Sequence, residues 1–224
     1  MKKFFSVVLA FTMAAALAAC GQAGTSQTSE AASLPESTAQ PSATAEAAPP
    51  TEAPAETTAE PAADGNTLVV YFSWSSSGNT EKMADVIAEH TGADVLRLEP
   101  AVAYPTDYSE CGDVAKIERD ENARPEIANL PEDLDGYDTV FVGYPIWWHT
   151  APMIIGTFLE SYDLTGKYIY PFAQSASMDT EQFDNSMDFV RGCAAGAVVH
   201  DGLFVTATDT DGILAYLTEN GFTA

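Results

Sequence analysis

The sequence predicts an α/β domain with an open sheet of five parallel strands and helices on both faces. Two patterns indicate this class. From residue 66 onward, five apolar segments of strand length alternate with five segments of helical periodicity, and this alternation is typical of a sheet covered by helices. The first apolar segment, at 68–72, reads Leu-Val-Val-Tyr-Phe without a polar residue, as expected of a parallel strand buried on both faces.

The first half of the domain contains two strand–helix pairs. The strand at 68–72 leads through a serine-rich segment into a helix that ends near Gly92, because glycine commonly terminates helices. A second strand is predicted at 94–98. An irregular stretch then separates this strand from a helix at about 108–119.

The second half adds three strands, each followed by a helix. The strands are predicted at 139–142, 168–172 and 198–205, and the helices at 153–162, 181–191 and 209–219. The fifth strand consists of two short apolar pieces, 198–199 and 203–205, and an interruption is expected at Asp201-Gly202. Residues 66–224 are therefore assigned to one domain, which is long enough to bury a sizeable core.

Residues 1–20 predict a targeting segment. Two lysines precede an apolar run at 4–19, which is shorter than the roughly 20 residues of a transmembrane helix and is typical of a secretory signal peptide. The run ends in Leu-Ala-Ala-Cys, which resembles the lipobox of bacterial lipoproteins. In that motif the thiol, here of Cys20, is lipidated and becomes the new N-terminus. The alternatives are an ordinary signal peptide with an incidental cysteine and an uncleaved anchor.

Residues 21–65 have the composition of a disordered tether. They include six prolines, many Ala, Thr, Ser and Glu, no aromatic residue and one large aliphatic residue, Leu34. Such a segment cannot bury enough apolar area to offset the entropy lost on ordering. We expect it to connect a membrane anchor to the domain at 66–224.

The charge of the domain excludes nucleic-acid binding. From Thr67 onward the chain has 26 acidic residues and 7 basic ones, a net charge of −19. This field repels anionic polymers and favours encounter with basic partners.

Cysteine and histidine spacing indicates neither a redox dithiol nor a metal site. Cys111 and Cys193 lie 82 residues apart without a Cys-x-x-Cys motif. A structural disulfide and two unpaired buried thiols both remain open. His90, His149 and His200 lack the spacing of helical metal ligands.

The loop at 73–80, after the first strand, predicts an anion site. It reads Ser-Trp-Ser-Ser-Ser-Gly-Asn-Thr and leads into a helix, and hydroxyls with free N–H groups at a helix N-terminus bind anions without a cation. The loop has no lysine, so the nucleotide-triphosphate motif Gly-x4-Gly-Lys-Ser/Thr is missing. The pattern favours the phosphate of a small bound cofactor. A serine-rich turn in which Asn79 or Thr80 caps the helix is the alternative.

The loop at 143–152, after the third strand, supplies aromatic surface. It reads Gly-Tyr-Pro-Ile-Trp-Trp-His-Thr-Ala-Pro and holds two of the three tryptophans. Two adjacent indoles cannot both turn inward easily, so one is expected at a rim or over a flat ligand. Packing against the next helix is the alternative.

These segments together resemble the flavodoxin-like FMN-binding proteins. The resemblance is carried by Tyr-Phe-Ser at 71–73, Ser-Gly-Asn-Thr-Glu at 77–81, Gly-Tyr-Pro-Ile-Trp-Trp at 143–148 and Ala-Pro at 151–152, and it extends from about Thr67 to the C-terminus. It implies a five-stranded parallel sheet in the order 2-1-3-4-5 and FMN as cofactor.

The resemblance also implies the cofactor-binding residues. The phosphate would be bound by Ser75, Ser76, Ser77, Gly78, Asn79 and Thr80. The ring would contact Pro145, Ile146, Trp147 and Trp148 from the third strand's loop and Gln174 and Ser175 from the fourth's. Trp147 is the expected stacking residue, and Trp148 is the candidate for packing in the core.

Two segments depart from the family pattern. The loop after the first strand is longer than the shorter family version, with Trp74 and an extra serine. Similar proteins carry glycines after the fourth strand, whereas residues 173–178 here include none, and His149 stands where a small residue is usual. A Cβ atom at a close backbone approach can displace a ligand.

The expected function is therefore that of an extracytoplasmic, lipid-anchored FMN redox protein that transfers electrons. Its partner would be a basic redox protein or a membrane electron donor. One alternative is an FMN-dependent reductase of quinones or similar acceptors. The other is a binding module that kept the flavodoxin fold and lost FMN, since fold alone does not decide function.

Overall fold

The computed structural model describes residues 66–223. The predicted signal peptide, Cys20 and the tether at 21–65 lie outside these residues. Within residues 66–223, no helix is long and apolar enough to cross a membrane.

Strands and helices alternate as predicted. The strands are β1 (Thr67–Tyr71), β2 (Asp94–Arg97), β3 (Thr139–Pro145), β4 (Tyr168–Gln174), β5 (Val198–Val199) and β6 (Leu203–Phe204). The helices are α1 (Asn79–Thr91), α2 (Tyr108–Asp120), α3 (Met153–Glu160), α4 (Thr180–Cys193) and α5 (Thr210–Glu219). β3 and β4 run further toward their carboxyl ends than predicted, because their pairing continues to Pro145 and Gln174.

The sheet is parallel and its order is β2-β1-β3-β4-β5, which confirms the predicted 2-1-3-4-5. β5 and β6 are two pieces of the fifth strand. The first pairs with β4 at Tyr168 and Ile169, and the second pairs with it at Phe172 and Ala173. The expected interruption at Asp201-Gly202 is therefore confirmed.

Hydrophobic layers cover both faces of the sheet. Successive side chains of β1 alternate between them: Val70 belongs to the layer with Ile154 and Phe158 of α3, and Val69 belongs to the layer with Met83 of α1. This arrangement explains the uninterrupted apolar run of the first strand, since no side chain of β1 faces water.

The two cysteines of the described residues are both buried and free. Of the two possibilities left open by the sequence, the structure therefore shows unpaired thiols. Cys193 lies at the end of α4, and burial raises the pKa of its thiol to about 12.

Candidate functional site

A cavity of about 600 Å³ opens beyond the carboxyl ends of β1, β3 and β4. Its lining residues are Trp74, Tyr108, Ser109, Cys111, Gly112, Asp113, Ala115, Ile146, Trp147, Trp148, His149, Ser175, Ala176, Ser177 and Gln182. The strand order reverses between β1 and β3, and ligands of open α/β sheets bind at such a switch point. The cavity therefore lies where the fold positions a ligand.

The loop after β1 ends in a helix terminus that is free to bind an anion. Gly78 precedes α1 in the left-handed conformation (φ 58°), and no side chain of the described chain caps this terminus. The proposed capping by Asn79 or Thr80 is therefore not observed. By contrast, an aspartate side chain caps each of α2, α4 and α5. The first N–H groups of α1 remain available to an anion, as the anion-site interpretation requires.

Serine hydroxyls surround this helix terminus. The Oγ atoms of Ser75 and Ser77 are 2.9 Å apart, and the Ser77 N–H donates to Ser75 Oγ at 3.2 Å. The Gly78 N–H donates to the Ser75 carbonyl at 3.0 Å, which closes the turn. The three serines are exposed and Thr80 is buried. The loop thus presents hydroxyls to solvent beside unpaired helix N–H groups.

Trp147 belongs to an aromatic cluster that forms one wall of the cavity. Its ring meets Phe72 edge-on at a centroid distance of 5.3 Å and Tyr104 at 5.2 Å. Trp74 completes the cluster at 6.3 Å. Edge-to-face pairs of this kind orient an aromatic ring firmly. Of this cluster, Trp74 and Trp147 line the cavity.

Trp148 is not a core residue, and the prediction that it packs in the core is wrong. It is 40% exposed and lies in a tight turn closed by two hydrogen bonds, from Trp147 N to Thr150 O (2.9 Å) and from Thr150 N to Trp147 O (3.0 Å). The turn directs the indole outward, toward α2. There its Nε1 donates to the Gly112 carbonyl at 2.7 Å.

Both central residues of this turn have left-handed backbones. The φ of Trp148 is 47° and that of His149 is 66°. A two-residue turn with two positive φ angles usually contains Asn and Gly, and a left-handed conformation costs roughly 1–2 kcal/mol for each other L-residue. Glycine would adopt the conformation of His149 without this cost. Strain of this kind is stored at functional sites when surrounding contacts hold it.

The loop after β4 borders the cavity without filling it. Ser175, Ala176 and Ser177 line the cavity even though the segment has no glycine. The left-handed position of the loop is occupied by Met178 (φ 49°), whose N–H donates to Ser175 Oγ at 3.0 Å. The cavity is therefore open beside the Cβ atoms of this loop.

The remaining wall comes from α2 and includes Cys111 and Asp113. Burial, together with the nearby Glu118 carboxylate, raises the pKa of the Cys111 thiol to about 11, so this thiol is a poor nucleophile near neutral pH. Burial also raises the pKa of Glu118, which accepts a hydrogen bond from Tyr104 Oη at 2.8 Å. Within residues 66–223, no group of three or more metal-ligating side chains occurs.

Four of the twelve predicted ligand residues, Ile146, Trp147, Trp148 and Ser175, line the cavity. The six predicted phosphate-binding residues at 75–80 do not line it, although Trp74, which precedes them in the chain, does. Pro145 and Gln174 are register partners at the ends of β3 and β4, so they hold the two ring-contacting loops side by side. The contacts of all these residues with a ligand stay predictions.

Sequence reasoning missed the contribution of α2, which supplies six lining residues from Tyr108 to Ala115. The amphipathic pattern of this helix indicates that one face is buried. It does not indicate that other residues of the helix line a cavity. It also missed Gln182 on α4 and Trp74, although the position of Trp74 inside the phosphate loop could have suggested a role.

Comparison with known proteins identifies the family. The Flavodoxin family model matches residues 66–220. A solved structure from Bacteroides uniformis, described as a flavoprotein, is 30% identical, covers 69% of this chain and 98% of its own, and has a TM-score of 0.61. Another from Bacteroides eggerthii is 32% identical, covers 70% and 98%, and has a TM-score of 0.62.

A flavoprotein of Lactobacillus acidophilus, solved in complex with FMN, shares the fold at 24% identity and a TM-score of 0.53, covering 65% of this chain and 96% of its own. No curated protein matches the chain. The match of the family model over most of the chain, and the two Bacteroides relatives, show that this chain belongs to the flavodoxin family.

Proposed function

We propose that this protein is an FMN-binding electron carrier, held at the outer side of a membrane by a lipid on Cys20. The observation that carries the proposal is an uncapped helix terminus at the end of a serine-rich loop whose Trp74 lines an aromatic-walled cavity at the switch point of the sheet. FMN has a phosphate at one end and a flat ring at the other, and the two parts of the site match them.

The phosphate would be held by the Ser75 and Ser77 hydroxyls and by the N–H groups of Asn79 and Thr80. No lysine or arginine occurs at 73–80, so backbone dipoles and hydroxyls would carry the charge of the phosphate. The ring would lie in the cavity against Trp147, with Ile146 beside it. The open cavity next to the glycine-free loop supports this fit.

The protein contributes position and electrostatics to the reaction. FMN, when bound, supplies electron transfer in steps of one or two electrons. Asp113 in the cavity wall and the charge of −19 from Thr67 onward oppose additional negative charge in the site, which lowers the reduction potential of any group that becomes anionic there. The aromatic cluster around Trp147 excludes water from one side.

The acidic surface favours a basic redox protein, or a membrane electron donor with a basic face, as the partner. Two acyl chains on Cys20 would anchor the protein stably, whereas one chain would be marginal. The 45 residues of the tether at 21–65 would let the domain move roughly 40 Å from its anchor as a flexible coil. The domain could thus reach partners in or near the membrane.

Calorimetry with FMN and riboflavin tests the cofactor. The protein should bind FMN at least tenfold more tightly, because only FMN carries the phosphate for which the loop at 75–80 is suited. Equal affinities would reject the phosphate site. Lack of binding of both compounds would reject the cofactor and support a module that has lost FMN.

Two glycines at opposite ends of α1 give a matched pair of variants. Gly78 and Gly92 both have left-handed φ angles, 58° and 69°, so alanine strains the backbone similarly at either position. At Gly78 the added Cβ would also lie 3.1 Å from Glu81 Oε2, whereas at Gly92 it would meet no atom within 4 Å. Gly78→Ala should weaken FMN binding and leave riboflavin binding unchanged, because it distorts the phosphate loop. Gly92→Ala should affect neither ligand. An equal loss of FMN binding in both variants would attribute the effect to general destabilisation.

A further inference from the structure

The turn at Trp148 and His149 is connected to α2 across the cavity. Trp148 Nε1 donates to Gly112 O at 2.7 Å, and Arg119 Nη1 donates to Trp148 O at 3.1 Å. The Arg119 guanidinium carbon also lies 5.5 Å from the centroid of the Trp148 ring. These three contacts join the loop after β3 to a helix that precedes β3 in the chain.

The same turn is strained, and its strain opposes these contacts. Trp148 and His149 both have positive φ angles, which are uncommon for L-residues other than Asn, Asp and His and rare for a bulky residue such as Trp148. If φ of Trp148 returned to a negative value, its Cα–Cβ bond would change direction and the indole would leave Gly112. The turn therefore cannot relax while the contacts to α2 remain.

The contacts are also partly exposed, since Trp148 is 40% accessible to solvent. Exposed hydrogen bonds and cation–π contacts contribute little net stability, and the strain of two left-handed residues is of similar size. A small change in the strain or in the contacts should therefore shift the equilibrium between a turn that contacts α2 and a turn that does not.

We propose that the Trp148–His149 turn is a latch that controls access to the cavity. In the closed position the indole bonds to Gly112 and the loop after β3 is joined to α2. In the open position the turn relaxes, the indole leaves α2 and the cavity is accessible from that side. The latch is a property of the protein alone, so it does not depend on the identity of the ligand.

Cys111 can report the position of the latch. It precedes Gly112 in the chain, lines the cavity, is 3% exposed and carries a free thiol. Opening of the latch should expose this thiol to a reagent such as 5,5′-dithiobis(2-nitrobenzoic acid). When opening and closing are fast relative to modification, the observed rate follows the open fraction.

The experiment uses the full chain with Cys20→Ser and Cys193→Ala, in which Cys111 is the only thiol. Trp148→Phe keeps an aromatic ring but cannot donate to Gly112 O, so modification should become about fivefold faster. His149→Gly should act in the opposite direction. Glycine accepts the left-handed conformation, which favours the closed turn, so modification should become about threefold slower.

The opposite changes in modification rate expected for the two variants distinguish a latch from a passive cover. His149 lines the cavity, so if the turn acted only by bulk, removing its imidazole would also speed modification. Faster modification in both variants, or equal rates in all proteins, would overturn the proposal.

Two controls separate the latch from general effects. Met178→Gly replaces another left-handed residue (φ 49°), one outside the cavity lining, and should leave the rate unchanged. Cys193 is buried but does not line the cavity. In a Cys20→Ser, Cys111→Ala background, its rate reports global opening and should not change with Trp148→Phe or His149→Gly. A parallel change would attribute the effect to global unfolding and overturn the latch.

Discussion

The adjacent tryptophans should differ in their contribution to stability. Trp147 is half-buried and meets Phe72, Tyr104 and Trp74 edge-on at centroid distances between 5.2 and 6.3 Å. Trp148 is exposed and is held by one indole hydrogen bond and by cation–π contacts with Lys116 and Arg119. Replacing each by alanine removes a different set of contacts.

The expected magnitudes follow from these contacts. Trp147→Ala removes three aromatic pairs and leaves a gap in the cavity wall, so it should destabilise the domain by about 3 kcal/mol, the low end for tryptophan truncation because burial is partial. Trp148→Ala should cost about 1 kcal/mol, since an exposed hydrogen bond and a cation–π contact are each weak. In a domain of this size these losses lower Tm by about 6–12 °C and 2–4 °C respectively.

Thermal unfolding followed by circular dichroism measures both effects, and the fluorescence of added FMN gives a second measurement. If Trp147 stacks on the ring, Trp147→Ala should weaken FMN binding and reduce the quenching of flavin fluorescence. Equal Tm values for the two variants, or a larger decrease in Tm with Trp148→Ala, would refute the packing role assigned to Trp147 in the aromatic cluster. Unchanged quenching in Trp147→Ala would refute the stacking alone.

Two further predictions concern the anchor and acid stability. Cys20→Ser should move the protein from the membrane fraction to soluble or unprocessed forms, and unchanged fractionation would contradict lipidation. His200 has a buried Nε2 without a hydrogen-bond partner in residues 66–223. Its ring stacks on that of Tyr170 at a centroid distance of 4.1 Å. Burial lowers the pKa of His200. As pH falls through roughly 6.5, His200 becomes protonated in the unfolded chain before it does so in the folded one. The free energy of unfolding should therefore decrease as pH falls below that value. His200→Phe should reduce the difference between urea midpoints at pH 7.5 and 5.5, and an unchanged difference would contradict this account.

Local pattern determined much of the fold. The apolar run at 68–72 predicted a strand covered on both faces, because only such a strand has no polar side. The two pieces of the fifth strand were visible because Asp201 and Gly202 interrupt the apolar residues between them. The strand order followed from the resemblance to flavodoxins, since periodicity carries no information about which strands are neighbours.

The loops of the site were also predictable, because the ends of parallel strands meet at one edge of the sheet. Serines before a helix and tryptophans after β3 could thus be expected at the same edge of the sheet. The role of α2 could not be predicted in this way. Its sequence defines an amphipathic helix, and only the packed chain shows that Cys111 and Gly112 face the cavity.

The roles of Trp147 and Trp148 show most clearly what the tertiary structure decided. The sequence by itself determined that two adjacent indoles cannot share one environment easily, and so that one of them lies near the surface. Which one does so depends on the sign of φ in the turn between Trp147 and Thr150. In the folded chain the two hydrogen bonds within the turn are joined by contacts of Trp148 to Gly112 and Arg119, 36 and 29 residues away. No local pattern encodes such distant contacts, because they exist only after the sheet has brought α2 and the loop after β3 together.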